Sequence, residues 1–323
     1  MKMYLALTIA LLACVAATAA PLSYPVFRAP AAIVVDGEVQ QEAAWQGAPS
    51  VTGFSKLGAG YTNAKQSAAQ MLWDDQGLYI AVVCEEPDAA LLKPVVRDYG
   101  DTWAEDSLEI FLQPALQAYQ IAVTAGGAKG GFEGGPDVSK IKAAAKIGPD
   151  FYSIEVFVPF SVVKATTKAG DKWRGEICRN CFTSSGVVDK FTSWTPLQAR
   201  FLEPDNFATL AFSGETSSAE QVKQLTEQLN LPYRQTVAAS MKAAAEIGAQ
   251  YKGTLQEAQE DAAMGERARG LLREWRTIER LSKQTDTASI LDLRHSLMQL
   301  QELNQASYEL KYKYLISKLL SEN

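Results

Sequence analysis

Histidine is nearly absent from this sequence of 323 residues, in which His295 is the only copy. A hydrolytic triad takes its general base from histidine, and structural zinc sites use four cysteine or histidine ligands. His295 lies far from the cysteines in the sequence, so neither kind of site is predicted. The glycine-rich stretch 126–135 lacks the Gly-Lys-Ser/Thr ending of a phosphate-binding loop. These absences argue against an enzyme and leave a carboxylate pair such as Glu105 and Glu109 as the one catalytic alternative.

An excess of positive charge is also lacking, since 31 Lys and Arg stand against 37 Asp and Glu, for a net charge of −6. Nucleic-acid binding requires a basic surface, so we expect no nucleic-acid partner. After the N-terminus, no window is long and apolar enough for a transmembrane segment.

The first 20 residues have the pattern of a secretory signal peptide. Lys2 supplies the positive end, residues 4–13 are apolar, and residues 17–19 read Ala-Thr-Ala, a cleavage pattern. We therefore predict a secreted or periplasmic protein. Residues 11–14 also resemble a lipoprotein box, so a lipid anchor at Cys14 is the alternative.

Residues 21–214 are predicted to form an antiparallel β-sandwich. Short segments rich in β-branched and aromatic residues alternate with glycine, proline and aspartate turns, and no long helical pattern lies among them. The predicted strands are 51–54, 68–73, 78–83, 107–112, 118–124, 141–147, 152–158, 176–182 and 209–212.

Residues 215–323 are predicted to be α-helical, because they contain one proline, Pro232, and apolar residues at helical spacing. We place the border between the two regions at residues 212–219. Three or four helices should form a hairpin or bundle that packs on itself or on the sandwich. An oligomerising coiled coil is the alternative, although polar residues interrupt the heptads.

The strand at residues 107–112 is the most informative segment. Its apolar residues alternate with Ser107, Glu109 and Phe111, and Trp103 stands at its entry. A sugar offers hydroxyls that a carboxylate can bind and a C–H face on which an indole can stack. The segment therefore indicates a saccharide or polysaccharide as the ligand of Trp103 and Glu109.

An ordered set of motifs over about residues 31–212 resembles the family 9 carbohydrate-binding modules. The motifs are Asp36-Gly37 with Trp45, Trp73-Asp74-Asp75, Leu78-Tyr79-Ile80, the Trp103–Glu109 segment, Trp173-Arg174, Arg179, Ser193-Trp194 and Phe207-Ala208-Thr209-Leu210. The resemblance implies that two aromatic rings hold the sugar and that Glu109 takes its hydroxyls. It places the first ring at Trp103 and the second at Phe201, and it places the family's sugar-contacting arginine near Ala122.

Two further sites are predicted, a cation site and a disulfide. Several carboxylates on one loop suit a hard cation, so Asp98, Asp101, Glu105 and Asp106 are candidate calcium ligands, with a solvated acidic loop as the alternative. In an oxidising compartment, two strands of a sandwich can be joined by a disulfide. We therefore predict a bridge from Cys84 to Cys178, with Cys181 as the alternative partner.

Together the patterns predict a secreted, non-catalytic carbohydrate-binding sandwich joined to a helical region. The alternative is a structural or interaction protein that keeps the sandwich, has lost sugar binding, and assembles through its helices.

Overall fold

The computed structural model of the protein describes residues 22–59, 65–131, 135–184, 189–281, 283, 285 and 288–321. The predicted signal peptide, with Cys14, lies outside these residues. No described helix combines the length and the apolarity needed to cross a bilayer.

The N-terminal region is a β-sandwich of twelve described strands. They are β1 Ser23–Arg28, β2 Ser55–Lys56, β3 Ser67–Trp73, β4 Gly77–Glu85, β5 Ser107–Gln113, β6 Tyr119–Thr124, β7 Lys129–Gly130, β8 Lys142–Ile147, β9 Phe151–Pro159, β10 Lys172–Asn180, β11 Phe191–Ser193 and β12 Ala208–Phe212. One layer has the order β7-β6-β5-β10-β12-β1, with β11 beside β10 and β2 beside β11. The other layer has the order β1-β3-β4-β9-β8.

Strand β1 belongs to both layers. Its first residues, from Ser23 to Val26, pair with β12, and Phe27 and Arg28 pair with β3; both pairings are parallel. The other strand pairs are antiparallel. The predicted antiparallel sandwich is thus confirmed, with one crossing strand that the sequence pattern did not indicate.

The core of the sandwich lies between the two layers and contains the apolar residues of each alternating strand. Leu108, Ile110 and Leu112 of β5 are buried there against residues of the opposite layer such as Ile80 and Val156. Five of the six tryptophans are buried, and Trp103 is the exception. The period-two pattern therefore sets which face of β5 remains available to a ligand.

Four helices follow the sandwich: α1 Ala219–Leu229, α2 Leu231–Ala258, α3 Gly265–Leu281 and α4 Ile290–Ser321. Helix α1 begins with a capping box formed by Ser218 and Gln221. Helices α2, α3 and α4 share a separate hydrophobic core. At Gly248 a Cβ would lie 1.5 Å from the Trp275 ring, so the glycine allows the indole to pack against α2. The predicted helical bundle is confirmed.

Helix α1 packs on the sandwich rather than on the bundle core. Leu225 and Leu229 contact hydrophobic clusters of the sandwich. The Asn230 side chain accepts a hydrogen bond from the Thr52 N–H at 2.8 Å and donates one to the Ser50 carbonyl at 2.8 Å. Farther along, Arg294 of α4 pairs with Glu85 of β4. Contacts with the sandwich therefore continue well past the composition change at residue 214.

The domain border at residues 212–219 stays a prediction, and the contacts of α1 sharpen its test. A fragment of residues 22–214 should fold with a β-type circular dichroism spectrum. A fragment of residues 22–230 should be more stable by roughly 2–4 kcal/mol, since it keeps the apolar contacts of α1 and the hydrogen bonds of Asn230. Urea unfolding of both fragments measures the difference. If neither folds while the full chain does, the border is wrong.

The predicted disulfide is absent from the structure, in which Cys84, Cys178 and Cys181 are free and buried. Cys84 lies in the core between the layers. Cys178 packs on the outer face of its layer with Phe111, Leu197 and Phe207. Because β10 turns alternate side chains to opposite faces, Cys178 points away from Cys84, which explains why the predicted bridge does not form.

Candidate functional site

The outer face of the β6–β5–β10 layer carries the polar side chains of its strands. Residues paired across neighbouring strands share a face, and Glu109 of β5 is paired with Cys178 on one side and Ala122 on the other. The neighbouring row on one side of Glu109 contains Thr124, Ser107, Asn180 and Phe191. The row on the other side contains Gln120, Phe111 and Glu176.

Glu109 lies at the centre of a hydrogen-bonded cluster. Asn180 Nδ2 donates to Glu109 Oε1 at 2.8 Å and to Ser107 Oγ at 3.1 Å, and Gln120 Nε2 donates to Glu109 Oε2. The Glu109 side chain is 7% exposed, and this burial raises the pKa of its carboxyl, against the opposing effect of Asn180 and Gln120. The cluster holds the carboxylate in one orientation.

The same cluster retains unused acceptors. Gln120 Oε1 is buried without a hydrogen-bond partner. Each carboxylate oxygen of Glu109 can accept more than the single bond it receives here. A buried acceptor without a partner is costly, so ligand hydroxyls that donate to Gln120 and Glu109 would be favoured.

Trp103 stands in a short 3₁₀ turn, Thr102–Ala104, directly before β5. Thr102 is buried and anchors the turn, while the Trp103 side chain is 57% exposed. An exposed tryptophan at the entry of the strand that carries Glu109 has the geometry that stacking requires. The turn contacts both β5 and β6.

Phe201 lies in the segment between β11 and β12, which is shaped by Glu203. Glu203 accepts hydrogen bonds from the backbone N–H groups of Gln198, Ala199 and Arg200, at distances of 2.7–3.0 Å. These bonds, that of Gln198 foremost, lower the pKa of Glu203 to about 2. Phe201 is half-buried and packs against the hydrophobic cluster on the outer face.

Two exposed rings that the sequence reasoning missed stand beside Phe201. The Phe191 ring lies 6.1 Å from that of Phe201 and 6.0 Å from that of Phe182, each in an edge-to-face arrangement. Phe191 is paired with Asn180, so it shares the face of Glu109. Residues 178, 180 and 182 are two positions apart and therefore share one face of the strand. This alternation in the sequence could have placed Asn180 and Phe182 on the same face.

A groove of about 180 Å³ lies between the end of the turn that carries Trp103 and Phe182. Its lining includes Ala104, which follows Trp103, as well as Asp106, Phe182 and Thr183. Asp106 ties the two sides together, because it accepts hydrogen bonds from the N–H groups of Phe182 at 3.2 Å and Thr183 at 3.0 Å.

The other part of the outer face is closed. Phe111 and Cys178 are covered by Leu197 and Phe207. Glu176 is fully buried beside Thr195, whose N–H donates to it at 3.1 Å, and burial raises its pKa to about 8. Ligand access on this face is therefore confined to the region from Glu109 towards Phe191 and the groove.

Comparison with known families assigns this sandwich. The family described as carbohydrate family 9 binding domain-like matches residues 35–213. The chain belongs to this family. The match spans the strands that carry Glu109 and Asn180, as well as Trp103 and Phe201, so the resemblance in the motifs is confirmed.

Solved structures similar to the chain include two of a family 9 carbohydrate-binding module from Caldicellulosiruptor kristjanssonii. The one in complex with cellotriose is 18% identical, with a TM-score of 0.46, and the match covers 60% of this chain and 95% of that one. The one in complex with glucose is 19% identical, with a TM-score of 0.48, and the match covers 60% and 98%. No curated protein matches the chain.

Three of the predicted calcium ligands of this family 9 domain are engaged separately. Asp98 accepts a hydrogen bond from the Lys129 N–H at 2.9 Å. Glu105 accepts from the N–H groups of Val95 and Val96, at 3.0 and 3.2 Å. Asp106 is bound by Phe182 and Thr183. Among the described residues, no three of Asp98, Asp101, Glu105 and Asp106 form a group of possible ligands whose atoms lie within 4.8 Å of one another. Calcium at this loop stays an untested prediction that the geometry does not favour.

The described residues do contain one such group, formed by Glu86, Asp106 and Cys181. Glu86 is already paired with Lys65 and Arg179. Asp106 accepts hydrogen bonds from the N–H groups of Phe182 and Thr183. Both carboxylates are therefore already engaged, and the group is part of a buried ion-pair cluster.

Proposed function

We propose that this chain is a secreted, non-catalytic carbohydrate-binding protein. The saccharide stacks on Trp103 and Phe201 and donates hydroxyl hydrogen bonds to Glu109. The observation that carries the proposal is the buried Glu109–Gln120–Asn180 cluster, which shares one face of a family 9 domain with the Phe191 and Phe201 rings.

The chemistry of a sugar matches both halves of this surface. Aromatic rings bind the C–H face of a pyranose, and fixed acceptors select its hydroxyls. Glu109 and Gln120 are held in place before the ligand arrives, so little side-chain entropy is lost on binding.

A binding role without catalysis is supported by how the acidic groups are used. The carboxylate of Glu105, the partner of Glu109 in a glycosidase-like alternative, is bound by two backbone N–H groups of the preceding loop. Glu109 itself is fixed by Gln120 and Asn180.

Secretion of the protein is proposed from the signal-like residues 1–20, and a lipid anchor at Cys14 is the alternative. Cell fractionation of the wild type and of Cys14→Ala decides between the two, because only an anchored protein should leave the membrane fraction when Cys14 is replaced.

A glycan array probed with the purified protein tests the proposal. The array should contain mono- and oligosaccharides of β-glucan, xylan, mannan, pectin and chitin. Binding to at least one class, confirmed by calorimetry, is the expected result. Binding to none of them would remove the proposed function.

Glu109→Gln should weaken saccharide binding about tenfold, because a hydrogen bond to an ionised carboxylate is worth roughly 1.5–3 kcal/mol. Wild-type affinity should fall as the pH drops through the raised pKa of Glu109, and the variant should lose this dependence. Calorimetry at several pH values measures both effects. Asp75→Asn, in the turn between β3 and β4 of the other layer, is the control and should bind like the wild type. Unchanged affinity in Glu109→Gln would rule out the proposed contact.

The alternative function, an interaction protein that assembles through its helices, is favoured by an apolar stripe on α4. Tyr308, Tyr312 and Ile316 are exposed and recur every four residues. If this alternative is right, the array shows no binding and light scattering shows self-association that Ile316→Glu abolishes.

A further inference from the structure

A pocket of about 380 Å³ lies at the end of the sandwich where β5 finishes and β10 begins. Ser107 and Asn180, beside Glu109, pair at the opposite end of the same two strands. The pocket is lined by the loop between β5 and β6, by the segment that follows β9, and by the start of β10. Its volume is in the range of roughly 300–1,000 Å³ that is typical of small-molecule sites, and the carbohydrate site proposed above does not use it.

Two aromatic residues in the lining of this pocket are almost completely buried and yet have unpaired polar atoms. Tyr119 is 5% exposed and Trp173 is 4% exposed, and both belong to the core between the layers. Within the part of the chain that the structure describes, neither the Tyr119 hydroxyl nor the Trp173 indole N–H has a protein hydrogen-bond partner. Such groups usually have a partner when they are buried. Because both residues line the pocket, a polar ligand there can supply the missing bonds.

Two lysines give the pocket a positive charge. Lys164 and Lys172 are in its lining, and among the described residues neither forms an ion pair with a carboxylate. Asp171 is the acidic residue of the lining, and it accepts a hydrogen bond from the Lys168 N–H at 3.0 Å. Two amines beside one carboxylate favour an anionic ligand, although the whole chain has a net charge of −6.

The backbone of Lys164 adds a second indication that its side chain is used. Its φ of 50° and ψ of 39° are left-handed, and Tyr99 is the other described residue besides glycine with a positive φ. Glycine adopts this conformation without the steric cost that a side chain brings. Backbone requirements therefore do not explain a lysine here, whereas an amine that faces the pocket does.

We propose that this pocket is a second ligand site, which binds a small hydroxylated carboxylate such as a hexuronic acid. The amines of Lys164 and Lys172 bind the ligand's carboxylate. The Asp171 carboxylate and the Tyr119 hydroxyl bind its hydroxyl groups, since a carboxylate can only accept hydrogen bonds. A free sugar acid and a uronate unit of an acidic polysaccharide share this chemistry. The inference does not depend on sugar binding at Glu109.

Calorimetry with galacturonate and galactose tests the inference, because galactose has a hydroxymethyl group where galacturonate has its carboxylate. Galacturonate should bind at least about tenfold more tightly than galactose, and added salt should weaken its binding. Trigalacturonate distinguishes the two sources, since it should bind more tightly than the monomer only if the ligand is a polysaccharide. Galactose or inorganic phosphate that binds as tightly as galacturonate would overturn the inference.

Lys164→Gly should weaken galacturonate binding about tenfold, because a charge-assisted hydrogen bond is lost. Its melting temperature should equal or exceed that of the wild type, since glycine readily adopts a positive φ. Lys172→Gln should weaken binding in the same way without a change in backbone preference. Tyr119→Phe keeps the ring and should weaken binding roughly threefold without loss of stability, because the hydroxyl has no protein partner to lose.

Lys168→Gln is the matched control, because Lys168 belongs to the same loop but not to the lining of the pocket. Equal losses of affinity in Lys168→Gln and Lys172→Gln would show diffuse charge attraction in place of a site. Binding of neutral glycans on the array without any binding of galacturonate would overturn this inference alone. Galacturonate binding without any neutral glycan on the array would remove the proposed function alone.

Discussion

Replacing Trp103 with alanine should weaken saccharide binding by at least tenfold and leave the melting temperature within about 2 °C of the wild type. The indole is 57% exposed in a turn that is anchored by its neighbour Thr102, so its removal opens no cavity. Substitutions at such positions change the free energy of unfolding by only about 0.5 kcal/mol. Stacking on the ring should be lost in full.

Trp173→Ala is the matched control for this prediction. Trp173 is buried in the core with its ring centroid 5.6 Å from that of Phe160 and 4.9 Å from that of Phe212. Its removal should destabilise the protein by roughly 3–5 kcal/mol. Calorimetry and thermal unfolding of both variants distinguish the two roles. A large loss of stability in Trp103→Ala, together with unchanged binding, would mean that Trp103 serves packing alone.

The layers of the fold could be predicted because alternation and helical spacing act locally. Strands β5 and β9 each have apolar residues at every second position, which places these side chains on one face of the strand. Such a face is buried only when a second layer packs on it. The crossing of β1 between layers could not be predicted, because its pairing with β12 and β3 depends on segments far apart in the chain. Helix α2 runs through Gly253 although glycine is unfavourable inside a helix, because Met241 and Leu255 on either side pack into the bundle core.

The site could be predicted only where a single segment contains its signal. Trp103 and Glu109 are six positions apart and belong to one motif, so a single segment suggests both, and their contact with a saccharide stays a prediction. Gln120, Asn180 and Phe191 come from three other strands, and their place beside Glu109 is set by strand register. Register depends on turn geometry and on the pairing of whole strands, which a single sequence does not reveal.

The calcium prediction assumed that residues close in sequence are close in space. The disulfide prediction assumed that two cysteines in strands of one sandwich can face each other. Cys178 lies in a strand of the sandwich as predicted, but its parity directs it to the outer face. The acidic loop residues are close in sequence, yet backbone N–H groups already hold Asp98, Glu105 and Asp106 in different directions. The sequence suggested that these carboxylates were free to bind a cation. In the structure they accept backbone hydrogen bonds that hold the loop in place.

Glu86→Gln should destabilise the protein by about 3–5 kcal/mol, because it leaves the buried Arg179 without its counterion. The Glu86 carboxylate lies 3.2 Å from Arg179 Nη2, and neither side chain is exposed to solvent. Arg179 would keep its bonds to the carbonyls of Gln66, at 3.1 Å, and Glu85, at 2.9 Å, but these dipoles do not neutralise a full charge.

Asp75→Asn removes an ion pair of similar geometry at the surface, where Asp75 lies 2.6 Å from Arg28 and its side chain is 86% exposed. Exposed pairs contribute about 0–1 kcal/mol, so this control should remain close to the wild type in urea unfolding. Adding Arg179→Met to Glu86→Gln should restore part of the lost stability, because the unpaired charge is gone. Equal effects of the two single carboxylate substitutions would show that the Glu86–Arg179 pair is hydrated. It would then not be a buried pair that secures the end of β10, where Asn180 lies beside Glu109.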